Sequence, residues 1–399
     1  MLIWAALRTS LKKGIIELAK DIFDYVYRNA VEKSRIQFWF QKSSTNDSIG
    51  ETLRVLFITT SNRPVGSALY RVFNPREGLV QNKIKCDVKS ISHVGLLNCL
   101  HHYNVFIFQR VYLSRVIEKM IGDIRQLGKV AIYDIDDLAF NLDLANQAKI
   151  VQKGLFLRGV KNTAQALEQF DYALTHSEFL ASLLEKEGKK AFVSRSCFGM
   201  EQMKKSREAL KRRTDSDRIR IGYFSGGQSH DDDFMEVTEA LLYIMGKYPD
   251  VDLYIGGFLN LSPTFDVWRD RIKRIPFVHW KKLPFKIVNT DINLAPLVEN
   301  NPFSQGKGEV KYIEAGLVGI PIIASPTDAF KSAIKHGENG LLASKTEEWV
   351  ECLELLICNK EERKRIGDNA RKHVETYYSP AHRGNLLKSI LSSILYKNN

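Results

Sequence analysis

The sequence predicts an α/β protein built from two Rossmann-like domains whose parallel sheets face a cleft between them. Three observations predict it. Apolar runs of strand length alternate with amphipathic helical stretches, the pattern of parallel sheets covered by helices on both faces. Two segments share one opening: "LRVLFITTSNRPVGSALYRVF" (53–73) and "RIRIGYFSGGQSHDDDFMEVTEALLYIMGKY" (218–248) each read as buried strand, glycine-bearing turn and helix. The chain of 399 residues also exceeds what one ordinary core organises, so two domains with extensions are expected.

Residues 1–50 read as a helical extension, because Trp4, Leu7, Leu11, Ile15, Leu18, Ile22 and Val26 recur at helical intervals. Either that face packs on its own protein, or Leu2, Ile3 and Trp4 beside Lys12 and Lys13 touch a membrane surface. The stretch is too long and too charged for a secretory signal. The first domain is expected over 51–204. It has strands in "YNVFIFQR" (103–110), "KVAIYDIDD" (129–137) and "YALTHS" (172–177), and a helix in "VKNTAQALEQF". A charged linker follows at 205–217. The second domain spans 218–378, with strands in "VDLYIGG" (251–257), "DINLAPL" (291–297), "GIPIIAS" (319–325) and "GLLA" (340–343). Residues 379–399 read as a last amphipathic helix that folds back on the first domain.

Hydrophobic residues make up 44% of the chain and charged ones 26%, as in globular rather than disordered proteins. A net charge of +12 favours anionic partners. That charge is scattered, without zinc-finger spacing or an RNA-binding aromatic signature, so no nucleic-acid partner is expected. The five cysteines are odd in number and never spaced CxxC. They read as reduced thiols of a cytoplasmic protein with no metal site. No apolar run is long enough to span a membrane.

The densest chemistry lies in "NPFSQGKGEVKYIEAG" (301–316). Lys307, Lys311 and Glu314 are spaced by four and three, which places them on one face if the segment is a helix. Such a face is either a solvated, salt-bridged surface or a cradle in which two ammonium groups hold phosphates and a carboxylate holds sugar hydroxyls. Asn301, Phe303 and Gly306 sit in the preceding loop. Gly226 and Gly227 end a strand and let backbone N–H groups approach a phosphate, although a tight turn alone would also use them. His230 lies beside that turn. In the first half, Asp134, Asp136 and Asp137 sit at a strand end, Gln109 and Arg110 end another, and "NRPVGSALYR" offers Arg63, Gly66 and Arg71. Ser177 of "THSEF" reads as a helix cap. No Ser-His-Asp or Cys-His spacing suggests a hydrolytic nucleophile.

Taken together, "SGGQSHDDDF", "DINLAPL", "NPFSQGKGEVKYIEAGLVGIPIIAS" and "NGLLA" resemble the GT-B-fold retaining glycosyltransferases of group 1, in a bacterial polysaccharide branch, over roughly residues 52 to 378. The resemblance implies a nucleoside-diphosphate sugar as donor and a glycan or lipid-linked acceptor. The anomeric configuration would be retained, no metal or other cofactor would be needed, and the protein would be cytoplasmic at or near a membrane. It places Glu314 on the ribose hydroxyls and Lys307 and Lys311 near the diphosphate. Gly226 and Gly227 fall in the phosphate loop; His230, Asn301, Phe303 and Gly306 fall on the donor side. Asp136 and Asp137, with Gly66 and Arg110, fall on the acceptor side, orienting the acceptor rather than deprotonating it. Two departures from the family stand out: glycine stands at 306 where a second glutamate is usual, and the usual Arg and Lys are missing from "FSGGQSHDDD". A catalytically silent relative and a GT-B-fold nucleotide-sugar isomerase or epimerase are the alternative readings.

Overall fold

The computed structural model describes residues 53–61, 63–93, 95–147, 153–226 and 231–398. The N-terminal extension with its expected membrane face therefore lies outside the described residues, as do Gly227 and His230.

Two sheets of six parallel strands form the two domains. In the first, β1 (Arg54–Thr59), β2 (Lys85–Ser90), β3 (Val105–Gln109), β4 (Val130–Asp134), β5 (Tyr172–Thr175) and β6 (Lys190–Val193) run in the order β2-β1-β3-β4-β5-β6. The interior strands are mostly apolar, with polar side chains at their ends such as Gln109 and Asp134, and every residue of β3 is buried. They are buried because helices cover both faces, as a parallel sheet requires. In the second, β7 (Ile219–Ser225), β8 (Val251–Gly257), β9 (Ile272–Ile275), β10 (Ile292–Ala295), β11 (Ile322–Ala324) and β12 (Leu341–Leu342) run in the order β12-β11-β10-β7-β8-β9. Three of the strands were not anticipated. β2, β6 and β9 are sheet-edge strands whose sequences, KCDVKS, KAFV and IKRI, are half-polar because one side meets solvent.

Residues 205–210, read as linker from their charge, continue the helix Met200–Leu210, which buries Gln202, Met203, Ser206 and Ala209. The helix Pro380–Asn398 reaches the first domain, where Leu387, Leu391, Ile394 and Leu395 join the core beneath β1 and β3. It crosses the helix Asn74–Gln81 at two glycines. A Cβ on Gly384 would lie 2.2 Å from the carbonyl carbon of Gly78, so the two backbones touch. The chain thus passes between domains twice, and the Phe198 amide donates to the Tyr378 carbonyl (3.2 Å) where the two passages meet. Among the described residues, no helix is long and apolar enough to cross a membrane.

Candidate active site

In the second sheet the strand order reverses between β7 and β10. The connections leaving their C-terminal ends depart in opposite directions and open a crevice, the place where open α/β sheets bind ligands. The first sheet has a corresponding reversal between β1 and β3. The two crevices face each other across a cavity of about 420 Å³ lined by both domains.

On the second-domain side, Gly226 follows β7 and Gly256 and Gly257 end β8. Gly257 has φ +81°, and a Cβ there would lie 2.1 Å from the Ser225 carbonyl oxygen, so only glycine fits. No described residue lies within 4 Å of a Cβ built on Gly226, so that side of its Cα faces the cavity without obstruction.

Lys307, Lys311 and Glu314 all line this cavity, but they do not share one helix. The helix begins only at Val310 (Val310–Leu317), and Lys307 stands in the turn between it and the short helix Pro302–Gln305. The cause is the pair Gly306 and Gly308 on either side of Lys307, since glycine costs helix propensity and Gly306 caps the preceding helix. The three side chains converge nonetheless. The Lys311 ammonium donates to the Phe224 carbonyl at the end of β7 and lies 5.0 Å over the Tyr223 ring. Burial lowers its pKa, opposed by the charges of Glu314 and Asp233. Burial likewise raises the pKa of Glu314, opposed by a hydrogen bond from Tyr70 and by Lys311.

The first domain supplies the opposite wall. Asp136 and Asp137 follow β4, and Lys307 reaches Asp137 across the cleft at 3.4 Å. Arg110 approaches Asp136 at 3.5 Å and Asp137 at 3.6 Å. Its own backbone is in the left-handed region (φ +47°), a conformation non-glycine residues adopt at a cost. Burial would push Asp137 upward, but Lys307, Arg110 and the Leu138 amide hold its carboxyl below the usual range. Behind them Arg71 makes a buried two-bonded pair with Asp134 (3.0 and 2.5 Å) that braces the end of β4. Gly66 lines the cavity; Arg110 does not, and meets it only through its ion pairs with the two aspartates.

Asn301, Phe303 and Gly306 do not line the cavity. Asn301 caps the helix Pro302–Gln305 through the Phe303 amide (2.9 Å). Phe303 packs on Phe156, with ring centroids 5.5 Å apart, and joins the first-domain core. Gly306 faces Leu138 and Leu180. Phe303 and Gly306 thus lie against apolar side chains of the first domain, at the domain interface.

Two wall residues were not anticipated. Tyr70 donates a 2.6 Å hydrogen bond to Glu314 Oε1 across the cleft. His176 places Nε2 3.1 Å from the Asp136 carbonyl oxygen, and because a carbonyl only accepts, Nε2 carries the proton. His176 Nδ1 is buried without a partner, against Gly308. The segment "THSEF" carried the signal, but it was used only for Ser177, which does cap its helix through the Leu180 amide (3.3 Å). Among the described residues no three His, Cys, Asp or Glu side chains are grouped so as to hold a metal ion.

The family model described as "Glycosyl transferase-like" matches residues 238–389, most of the second domain and the final crossing. No curated protein matches the chain by sequence. Solved structures with the same architecture include HepE of Anabaena in complex with UDP, at 16% identity and a TM-score of 0.59, covering 86% of this chain and 100% of that one. Sucrose-phosphate synthase of Thermosynechococcus elongatus is similar at 15% identity and a TM-score of 0.59, again over 86% and 100%. A putative UDP-N-acetylglucosamine 2-epimerase of Listeria monocytogenes shares the fold at 12% identity and a TM-score of 0.51, over 87% and 98%. The chain therefore has the GT-B fold, two Rossmann-like domains across a cleft, and its second domain matches the glycosyl transferase-like family.

Proposed function

We propose that this protein is a glycosyltransferase. It moves a sugar from a nucleoside-diphosphate sugar to a glycan or lipid-linked acceptor with retention of configuration, in the synthesis of a cell-surface polysaccharide. One observation carries the reading: two ammonium groups and one carboxylate from a single loop-helix segment converge on a cavity at the strand-order reversal, opposite two carboxylates of the other domain. Glu314 takes the ribose hydroxyls, and Lys311 and Lys307 meet the diphosphate, whose negative charge grows as the sugar departs. Gly226 lines the same cavity. Asp137, held ionised by Lys307 and Arg110, is suited to accept a hydrogen bond from the incoming hydroxyl and is a poor acid. Asp136, tied to Arg110, shapes the same wall. Lysines and backbone dipoles can supply the charge stabilisation that a divalent ion supplies elsewhere, so the reading requires no metal. Work on lipid-linked acceptors would place the protein at the cytoplasmic face of a membrane.

The test is a thermal-shift screen against UDP, GDP, ADP and TDP, on the wild type and on Glu314→Ala. One nucleotide should raise the wild-type midpoint and leave the variant nearly unmoved; a wild type that none of them stabilises ends the donor reading. A second reading, a nucleotide-sugar epimerase, draws on the unpartnered His176 Nδ1, since such chemistry needs acid-base groups at the sugar. An isomerised donor formed without acceptor would select it. A silent binding relative, suggested by Gly306, would bind donor with neither transfer nor hydrolysis.

A further inference from the structure

The segment leading to Tyr70 departs from ordinary helix. Leu69–Phe73 is a π-helical turn in which Leu69, Tyr70, Arg71 and Val72 are all buried in succession. π-helical turns are rare and concentrate at functional sites. Here the widened turn sends Arg71 to Asp134 at the end of β4 and Tyr70 into the cleft. The Tyr70 hydroxyl is oriented from behind: Gln202 Nε2 donates to it at 3.1 Å. A hydroxyl has one hydrogen, and with an acceptor site filled by Gln202 that hydrogen is directed onto Glu314 Oε1 at 2.6 Å.

We infer that Tyr70 is a positioning residue contributed by the opposite domain, which fixes the Glu314 carboxylate in the orientation that receives the vicinal hydroxyls of the donor's ribose. The inference rests on the donor reading of Glu314 given above. A carboxylate offers about four lone-pair sites, of which Tyr70 occupies one, so the remainder are available to two hydroxyls. Because Tyr70 and Glu314 belong to different domains, the bond exists only when the domains are together. Ribose recognition is thereby tied to closure of the cleft.

The experiment uses the full chain and calorimetric binding of UDP and of 2′,3′-dideoxy-UDP to wild type, Tyr70→Phe and Glu314→Ala. Phenylalanine keeps the ring and its packing and removes only the hydroxyl, and the unfolding midpoint should stay within a few degrees of wild type. The expected result is that Tyr70→Phe weakens UDP about tenfold while changing dideoxy-UDP less than twofold, and that Glu314→Ala does the same more strongly. A general loss of packing would weaken both ligands alike, and that outcome overturns the inference. So does unchanged UDP binding, or tighter UDP binding, which would make the tyrosine a competitor of the ribose. A wild type that binds UDP and dideoxy-UDP equally overturns the donor reading of Glu314 together with this inference. A wild type that prefers UDP, with Tyr70→Phe indistinguishable from it, overturns this inference alone.

Discussion

Replacing Lys311 by methionine removes one positive charge from the cleft while keeping most of the side chain's length and volume. The ammonium is half-buried and ringed by the Phe224 carbonyl, the Tyr223 ring and Glu314. In such surroundings an effective dielectric near 20 applies, and a unit charge about 4 Å from a phosphate oxygen interacts by roughly 4 kcal/mol. Loss of one positioned donor in comparable sites costs about 2.7–4 kcal/mol at the transition state, so turnover should fall about 100- to 1,000-fold. Lys307→Met should cost less, because Lys307 already shares its charge with Asp137 at 3.4 Å. Stability should hardly change: the Phe224 carbonyl loses a partner worth about 1 kcal/mol, offset by relief of burying an ammonium. The assay is donor turnover together with calorimetric binding of the nucleoside diphosphate and of its parent nucleoside. The nucleoside should bind both proteins equally and the diphosphate should bind the variant more weakly. Lys311→Met with wild-type turnover and wild-type diphosphate affinity would refute the placement of the phosphates.

Two further outcomes follow from the same geometry. Binding of a nucleoside-diphosphate sugar should need Glu314 ionised and Lys311 charged. It should be lost as pH falls through a Glu314 pKa raised above 4.5, and as pH rises through a Lys311 pKa lowered below 10.5. Glu314→Gln should abolish the acid limb and Lys311→Met the alkaline one in affinity measured across that range; limbs that survive both substitutions belong to other groups. Gly257→Ala should destabilise the second domain by about 2–5 kcal/mol, combining a left-handed φ of +81° with a backbone contact at 2.1 Å, and should lower the unfolding midpoint by at least ~5 °C. An unchanged midpoint would show that the loop after β8 is free to relax.

How much of this was legible depended on where the information sits. Interior strands such as "VFIFQ" and "VDLYIGG" are buried on both sides, so local composition alone announces them. The edge strands β2, β6 and β9 lack long apolar runs: in KCDVKS only Cys86 and Val88 are apolar, alternating with Asp87 and Lys89, a fainter signal than a buried run. The cluster of Lys307, Lys311 and Glu314 was visible from spacing even though the inferred single helix was not its means of assembly. Asn301, Phe303 and Gly306 were assigned to the donor side by motif position; the structure sets Phe303 against Phe156 and Gly306 against Leu138 and Leu180, while Asn301 caps a helix. Tyr70 escaped because nothing local distinguishes it from a core aromatic, and His176, although inside "THSEF", because a histidine before a capping serine reads as structural. Their meaning arises from Glu314 and Gly308, more than 130 residues away in each case.

The two chain passages between domains, joined by the bond from the Phe198 amide to the Tyr378 carbonyl, set how the molecule can move. Passages far apart would act like two bolts and permit only twisting about the line between them. Adjacent ones act as a single pivot, about which one lobe can swing from the other while Gly384 keeps the last helix pressed to its partner. Opening would then be widest at the rim opposite the pivot.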